Sequence, residues 1–515
     1  MPREIIIGHR LDLEGVHAVA LGEAKVSLDP HARERLAETR AELLADLDEG
    51  QTIYGVNTGF GALSDTRIPR ERLEELQRNL LRSHAVGVGP SLPAEVVRAL
   101  LVLRAHTLSL GACGVSPQLP ERLVELLTRG VIPVVPSQGS VGASGDLAPL
   151  AHLALPLIGE GEVWLDGERC DGASALARVD LSPFPLGPKE GLSLINGTQV
   201  TTAIGALATW RACELVTTAD VLGALSLDTA LGTTAAFDPR IHAGKPHPGQ
   251  QQTARTVLEL VEGSPLRESH RGCHEVQDAY CLRCMPQVHG AVRNAVRYVA
   301  NALTIEINSF TDNPLVLGRG DGGYDVLSGG NFHAATVAVP LDHLTAALTT
   351  IATISERRLD RFMNSHASRG LPPFLADDPG VESGFMMAQV TASALASECK
   401  SLSFPASVDT IPTSAGKEDH VSMGPIAALK LQRVVTNVAH VLAIEAAVAT
   451  RALDLRPHPT SPRLQNVARA VRTHVAPHTG DRSLTAELES LADGILRGEL
   501  RAAADLPHEL ADSSH

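Results

Sequence analysis

The amino-acid sequence predicts a mainly α-helical protein in which a mixed N-terminal portion is followed by a bundle of long helices. The first 190 residues carry short apolar runs that many glycines and prolines interrupt. After Asn196 come long alanine- and leucine-rich stretches that are apolar on most sides, as in helices buried inside a bundle. The chain has 515 residues, 44% of them hydrophobic, and can bury such a core. We expect residues 1–200 to form one domain and residues 201–515 a second.

Apolar residues at helical spacing predict the helices, and short apolar runs predict the strands. The predicted helices of the N-terminal portion cover residues 29–48, 93–111 and 120–129. The predicted strands cover residues 4–7, 131–135 and 162–165. The predicted long helices cover residues 199–231, 286–309, 333–360, 385–400 and 424–454, and a charge-alternating helix pair near 461–502 follows. Long helices that are apolar nearly all round also favour burial between subunits, so a homo-oligomer is expected.

Charge and apolar patterning argue against several classes of partner. The net charge is −15 and no basic run is present, so we expect neither nucleic acid nor an anionic membrane surface as partner. No stretch of 18 uncharged apolar residues predicts a membrane span, and the apolar run at residues 5–7 is too short for a signal peptide. The seven cysteines are an odd number, which favours free thiols and a cytoplasmic location.

Residues 139–155, GSVGASGDLAPLAHLAL, place three glycines three residues apart directly before an apolar run. Glycine at that density weakens a helix, so the segment needs another purpose. No lysine completes a P-loop, the spacing differs from G-x-G-x-x-G, and the glycine after Ser144 comes one place early for a nucleophile elbow. The residues themselves are consistent with a tight turn in which Asp146 caps the following helix.

Seven other segments combine glycine or proline with polar and aromatic side chains. Taken singly, their residues have structural explanations: Tyr54 as a turn aromatic, His84 as a core histidine, Arg283 as a surface charge, Glu418 as part of a helix cap. Seven such segments in a chain with only 3% aromatic residues indicate a functional site instead. The segments are IYGVNTGFGALSD (53–65), SHAVGVG (83–89), LINGTQ (194–199), VQDAYCLRCMPQVHG (276–290), FTDNPL (310–315), SGGNFH (328–333) and GKEDHVSMG (416–424).

A structural zinc site is the alternative for one of these segments. Cys281 and Cys284 form a C-x-x-C pair, with Cys273 and His274 just upstream. Zinc ribbons use two such pairs, or one pair and two spaced histidines, and the second pair is missing here. No metal is therefore expected.

In their order along the chain, these segments resemble the motifs of the aromatic amino-acid ammonia-lyases. The motifs are GSVGASGDLAPLAHLAL, YGVNTGFG, NGTQ, QDAYCLRCMPQ, NSFTDNPL and SGGNFH, and the match runs from about Tyr54 to Met423. Ser83-His84 and Glu418 resemble the histidine-acting branch, whereas phenylalanine-acting members resemble Phe-Leu and tyrosine-acting members His-Leu at the first pair.

The resemblance also has departures. Gly416 and Lys417 stand where histidine-acting members often carry amide residues, and Ala279 and Met285 lie beside matched positions. These departures concern the fine shape of the pocket more than the chemistry.

The resemblance implies that Ala143-Ser144-Gly145 cyclises autocatalytically to 4-methylidene-imidazol-5-one (MIO). The Gly145 nitrogen attacks the Ala143 carbonyl carbon, and two waters are lost, one of them with the Ser144 hydroxyl. Addition of the substrate amine to the methylidene makes nitrogen a better leaving group. The implied reaction is deamination of L-histidine to trans-urocanate and ammonia, the first step of histidine degradation. The resemblance also implies a cytoplasmic homotetramer with active sites drawn from more than one subunit.

The resemblance assigns a role to each matched side chain. Tyr54 would be the base that removes the β-hydrogen, and Arg283 would bind the substrate carboxylate through paired donors. His84 and Glu418 would supply a donor and an acceptor to the imidazole ring. The remaining matches are Asn196 and Gln277, which hydrogen-bond MIO or substrate, Tyr280, which acts near MIO, and Phe332, which lines the pocket.

Two alternatives stay open. One is a sibling enzyme on the same scaffold, namely a tyrosine or phenylalanine ammonia-lyase or a 2,3-aminomutase. The other is a non-catalytic helical scaffold that has lost MIO. The intact Ala143-Ser144-Gly145, together with Tyr54 and Arg283, argues against the second alternative.

Overall fold

The computed structural model describes residues 3–63, 65–272, 276–320 and 322–510, and over them the chain is mainly α-helical, as predicted. The α-helices are Leu13–Leu21 (α1), Pro30–Asp48 (α2), Leu73–His84 (α3), Ala94–Ser109 (α4), Gln118–Thr128 (α5), Leu147–Ala154 (α6), Gly172–Arg178 (α7), Glu190–Ile195 (α8), Gln199–Thr229 (α9), Pro239–Ala243 (α10), Pro248–Val261 (α11), Pro265–Glu268 (α12), Tyr280–Arg283 (α13), Met285–Ile307 (α14), Ala335–Met363 (α15), Met386–Leu402 (α16), Gly424–Asp454 (α17), Pro462–Arg472 (α18), Thr485–Leu496 (α19) and Glu499–Ala503 (α20). The strands are Arg3–Ile7 (β1), Ala24–Leu28 (β2), Val88–Ser91 (β3), Ile132–Pro133 (β4), Pro136–Gln138 (β5), Glu162–Leu165 (β6), Glu168–Asp171 (β7), Leu315–Gly318 (β8) and Tyr324–Leu327 (β9).

The predicted helices are present, and two local differences have physical causes. Within the predicted strand 131–135 only Ile132–Pro133 (β4) forms a strand, and a second short strand, Pro136–Gln138 (β5), follows it; Pro133 and Pro136 lack the N–H that a continuous ladder requires. β4 pairs with β6, whereas β5 pairs with β3. The predicted closing helix pair is three helices, α18, α19 and α20. Gly498, at φ +81°, separates the last two.

The chain divides into two compact units. The first comprises Met1–Leu207, Ala300–Leu341 and Pro405–Leu429, and the second Ala208–Val299, Asp342–Phe404 and Lys430–His515. Each unit is thus assembled from separate stretches of chain. The division after residue 200 stays a prediction about domain organisation.

In the first unit, short sheets place two of the predicted segments side by side. β3 begins four residues after His84 and pairs antiparallel with β5, with Val88 opposite Gln138. β5 leads directly into Gly139, where the glycine-rich segment begins. The Gly87 N–H also donates to Nε2 of His152 on α6, at 3.0 Å. The sheet therefore brings the His84 segment next to the tripeptide segment.

In the second unit, a buried polar network ties the long helices together. Glu445 on α17 accepts hydrogen bonds from Arg358 on α15 (2.5 and 2.8 Å) and from Ser226 on α9 (2.7 Å). His289 on α14 lies 2.8 Å from Asp220 on α9. Removing one partner from such a network leaves a buried charge uncompensated, so these side chains specify how the helices pack.

Two helices, α15 and α17, are long and apolar enough to cross a membrane by length and composition alone. In the most apolar 18-residue windows of these helices, 67% and 83% of the residues are buried inside the protein. Core helices that are mostly buried meet the same criterion, so this finding is weak support for a membrane span. The absence of a membrane partner stays a prediction.

Candidate active site

The Ala143-Ser144-Gly145 tripeptide lies in a turn between β5 and α6 whose backbone requires glycine. Gly142 and Gly145 have φ values of +67° and +75°, a region that L side chains rarely adopt. Gly145 forms an isolated parallel bridge with Gly197, and a Cβ at position 145 would collide with the backbone of Gly197. The glycines thus allow two backbone segments to meet at the tripeptide.

Asp146 stands at the N-cap position directly before α6, but its carboxylate makes no capping hydrogen bond to that helix. Its Oδ2 accepts from the Thr201 N–H at 2.8 Å, and its Oδ1 accepts from the Thr201 hydroxyl at 3.1 Å. Burial raises the pKa of Asp146 to about 7, although these hydrogen bonds oppose the shift. The predicted side-chain cap is therefore wrong, and Asp146 instead ties the tripeptide to the first turn of α9.

Asn196 is the nearest predicted partner of the tripeptide. The Ser144 hydroxyl donates to Oδ1 of Asn196 at 3.1 Å. The amide nitrogen of Asn196 donates to the Asn313 carbonyl at 2.9 Å and to Oδ1 of Asp312 at 3.3 Å. Because those oxygens accept the amide donors, the network assigns the amide orientation and directs Oδ1 towards Ser144.

A fully buried ion pair, to which the sequence alone assigns no role, holds this network. Nζ of Lys189 lies 2.5 Å from Oδ2 of Asp312, and neither side chain is exposed. The Ser193 hydroxyl donates to the same oxygen at 2.7 Å. Burial disfavours the charged form of Asp312, but Lys189 and Arg104 outweigh it and hold the pKa of this carboxyl below its usual range. The available signal was an ionic residue at each of two motif segments: Lys189 lies five residues before LINGTQ, and Asp312 lies inside FTDNPL.

Tyr54 is held by a backbone donor. Its hydroxyl oxygen accepts a hydrogen bond from the Gly61 N–H at 3.2 Å. Gly61 has φ +54°, and a Cβ there would collide with the hydroxyl of Ser414. The Gly61 N–H thus fixes the position of the phenol oxygen.

His84 ends α3 and is half-buried. Its Nδ1 lies 2.9 Å from the Leu80 carbonyl, which can only accept, so Nδ1 carries a proton and Nε2 of the neutral ring is an acceptor. Burial lowers the pKa of His84, opposed by the Leu80 hydrogen bond and by the charge of Glu418. From the sequence, His84 and Glu418 are expected to offer one donor and one acceptor to the imidazole ring. Because Nε2 of the neutral His84 ring is an acceptor, this expectation holds only when His84 is charged.

Glu418 lies on a turn whose base rests on the tripeptide segment. The Met423 N–H donates to the Val141 carbonyl at 2.9 Å, and the Ser422 hydroxyl donates to the Gly142 carbonyl at 3.1 Å. The side chain of Met423 packs against Ala143 in one small apolar cluster. The Glu418 segment is thus anchored beside the tripeptide.

Phe332 lies half-buried in a segment that contacts the same elements. The Gly329 N–H donates to Oδ1 of Asn313 at 2.8 Å. The His333 ring stacks on His420 with centroids 5.8 Å apart. Within the first unit, then, contacts link the tripeptide to the segments of Asn196, Phe332 and Glu418.

Gln277, Tyr280 and Arg283 belong to the second unit, where Gln277 and Tyr280 are exposed. Cζ of Arg283 lies 4.6 Å from the centroid of the Tyr280 ring. Nε of Arg283 is buried and has no hydrogen-bond partner among the described residues, so it is a donor suited to a carboxylate ligand. Asp278 anchors this segment by accepting from the Thr233 N–H at 2.7 Å.

Cys281 and Cys284 are free thiols, and burial raises the pKa of Cys281. Cys273 and His274 lie outside the described residues. Elsewhere in the second unit, Asp377, Glu382 and His478 place potential ligand atoms within 4.8 Å of one another. Arg451 pairs with that aspartate at 2.5 Å, an arrangement typical of a structural ion pair. The absence of a metal stays a prediction.

The sequence that contains these site segments is similar to sequences of known proteins. Residues 11–473 match the model of the family described as aromatic amino acid lyase. The chain is 50% identical over 506 residues to a histidine ammonia-lyase of Anaeromyxobacter dehalogenans, covering 96% of this chain and 99% of that protein.

Solved structures are similar as well. Histidine ammonia-lyase from Trypanosoma cruzi has a TM-score of 0.90 and 38% identity, covering 99% of this chain and 96% of that chain. A tyrosine aminomutase from Streptomyces globisporus has a TM-score of 0.92 and 36% identity, covering 98% of each chain. The chain belongs to the aromatic amino acid lyase family.

Proposed function

We propose that this protein is an MIO-dependent lyase that converts L-histidine to trans-urocanate and ammonia. The observation that carries the proposal is that hydrogen bonds from Met423 and Ser422 anchor the Glu418 segment on the tripeptide segment, where the charge of Glu418 acts on the His84 imidazole. An apolar phenyl ring would leave these polar groups without partners. The extent of identity with histidine ammonia-lyases supports the same substrate.

The residues present fit the formation of MIO. The tripeptide has small side chains, follows Gly142 and ends in Gly145, both with positive φ, and its serine hydroxyl donates a hydrogen bond to Asn196. MIO supplies an electrophilic methylidene carbon that ordinary side chains do not provide. Asp146, the residue after Gly145, donates its N–H to the Gly197 carbonyl at 2.8 Å and accepts from the Thr201 N–H at the start of α9, and burial raises its pKa to about 7.

In the assembly proposed below, side chains from more than one subunit bind and orient the substrate. Arg283 receives the carboxylate through its guanidinium donors, among them the buried Nε that has no partner among the described residues. Glu418 accepts a hydrogen bond from the imidazole N–H, and His84 lies beside it as a second polar partner. Before ring closure, the amide oxygen of Asn196 accepts a hydrogen bond from the Ser144 hydroxyl.

Tyr54 removes a proton from the β-carbon and holds it on the phenol oxygen. The Gly61 N–H, 3.2 Å away, stabilises that oxygen while it carries negative charge. Ammonia and the α,β-unsaturated acid are then the products.

The assembly we propose is a cytoplasmic homotetramer in which Tyr54 and Tyr280 serve a tripeptide of another subunit. Inactive Tyr54→Phe and Ser144→Ala chains, unfolded and refolded together, should then recover activity, because mixed tetramers contain sites with an intact set. A fully active monomer at the assay concentration would overturn this assembly.

The reaction is tested by assaying the purified protein with L-histidine, L-tyrosine and L-phenylalanine, and by following the unsaturated acids by their ultraviolet absorbance. We expect urocanate from histidine and no turnover in Ser144→Ala. A β-amino acid formed from tyrosine would support an aminomutase instead. The lack of turnover with any of the three, in a protein without MIO absorbance, would support a non-catalytic scaffold.

A further inference from the structure

The loop that carries Glu418 is a hairpin of residues 410–421, which we call the recognition hairpin. Thr413 and Glu418 face each other in an antiparallel bridge, and the Thr413 N–H donates to the Glu418 carbonyl at 3.0 Å. Nearer its base, the Val421 N–H donates to Oγ1 of Thr410 at 2.9 Å. Thr410 and Thr413 thus both form side-chain hydrogen bonds within the hairpin, and only Thr413 contacts the carboxylate of Glu418.

The Thr413 hydroxyl donates to Oε2 of Glu418 at 2.5 Å, a distance typical of a strong bond from a hydroxyl to a carboxylate. Among the described residues, no hydrogen bond reaches the other oxygen, Oε1. Glu418 is only half-buried, so without this bond its side chain would sample several rotamers. The threonine therefore selects one orientation and leaves Oε1 available.

We infer that Thr413 is a positioning residue that holds the Glu418 carboxylate for recognition of the substrate's imidazole ring. The inference rests on the proposed function, since it assigns the imidazole to Glu418. Thr413 acts through Glu418 and has no separate contact with the ring.

The recognition hairpin also contacts the segment that holds Tyr54, the proposed catalytic base. The turn Ser414–Gly416 packs against Gly61–Leu63, and Gly61 donates to the hydroxyl of Tyr54. If Thr413 only maintained the hairpin, its loss would disturb both Tyr54 and Glu418. A role confined to Glu418 instead predicts weaker binding of the ring with nearly unchanged turnover at saturation.

Thr413→Val tests this inference with little disturbance of the backbone. Valine replaces the hydroxyl with a methyl group, and position 413 is extended (φ −124°, ψ 180°), where a β-branched residue is well accommodated. We expect KM for histidine to rise about tenfold, as the loss of one orienting hydrogen bond to a charged group implies. kcat and the MIO absorbance should stay within about twofold of wild type, and Thr413→Ser should restore KM.

Two competitive ligands separate ring recognition from general binding. trans-Urocanate and trans-cinnamate share an acrylate and differ in carrying an imidazole or a phenyl ring. Thr413→Val should weaken urocanate about tenfold and leave cinnamate within about twofold. The matched control is Thr410→Val, which loses a hairpin hydrogen bond without touching Glu418 and should change neither ligand by more than about twofold.

The inference is overturned if Thr413→Val weakens both ligands equally, if it weakens neither, or if Thr410→Val has the same effect. A wild-type protein that prefers urocanate to cinnamate but does not deaminate histidine would overturn the proposed reaction alone. A wild-type protein with no preference between the two ligands would overturn the assignment of Glu418 and the role of Thr413 with it.

Discussion

Lys189→Met would remove the cation from the buried ion pair beneath Asn196. Nζ of Lys189 lies 2.5 Å from Asp312 and 2.8 Å from the Ser193 hydroxyl, and the lysine and aspartate side chains are completely buried. Methionine has a similar length and no charge, so the change isolates the loss of the ammonium. Asp312 would retain the hydrogen bonds from Ser193 and Asn196.

The expected loss of stability follows from this geometry. At an effective dielectric constant of about 20, two unit charges 2.5 Å apart attract by about 7 kcal/mol before desolvation is counted. Two effects reduce this loss. The variant has no lysine to desolvate, and Arg104 still stabilises the charged form of Asp312 and lowers its pKa. The net loss expected on removing one partner of a buried pair is about 3–5 kcal/mol.

The loss should depend on pH in a defined direction. In the wild type, the pKa of Asp312 is held below its usual range, so its contribution to stability is present above the unfolded pKa of about 4. That contribution disappears as the pH falls through the lower, folded value. Without Lys189, burial is less opposed and the pKa of Asp312 rises. The variant then gains stability relative to wild type as the pH falls from 7 towards 4.

Urea unfolding followed by circular dichroism at pH 7 and pH 5 measures both effects. The absorbance of MIO provides a second readout, since a displaced Asn196 would engage Ser144 poorly. A loss below about 1 kcal/mol at pH 7, or an equal loss at both pH values, would refute the reasoning.

Three further outcomes are expected. Mass spectrometry should find the wild-type chain lighter than its sequence by two waters, and Ser144→Ala should lack this loss and the MIO absorbance; active protein of unmodified mass would contradict the cofactor. His84→Phe should keep MIO and lose most of its kcat/KM for histidine, because the substrate's imidazole would lose a polar partner and a buried polar group left unpaired costs about 1–3 kcal/mol. Unchanged turnover would mean that His84 is only a core residue. Gly142→Ala should lower the melting temperature more than Gly130→Ala does. Both positions have similar φ (+67° and +70°), but only a Cβ at position 142 would collide with Ser422. Equal decreases in melting temperature would mean that the segment around Gly142 adjusts freely.

Much of the fold and the identity of the site segments could be predicted from the sequence. The bounds of α9 follow from apolar residues repeating at helical spacing, which is a local property of the chain. The tripeptide was likewise predictable, because ring closure needs a particular order of small residues that a linear motif records. The strand predicted for residues 131–135 is only Ile132–Pro133, and this shortening was missed although Pro133 and the nearby Pro136 signalled it locally.

The partners of the buried polar groups depend on tertiary structure. Asp146 is locally a helix cap, yet its carboxylate bonds Thr201, 55 residues away. Lys189 and Asp312 are 123 residues apart, and no periodicity connects them. The sequence alone therefore determined the helices, the family motifs and the order of reactive residues, because these are properties of adjacent residues. Only the tertiary structure decided which buried charges meet and how Asn196 and Glu418 are oriented, because a buried polar group takes whichever partner the packed chain brings within reach.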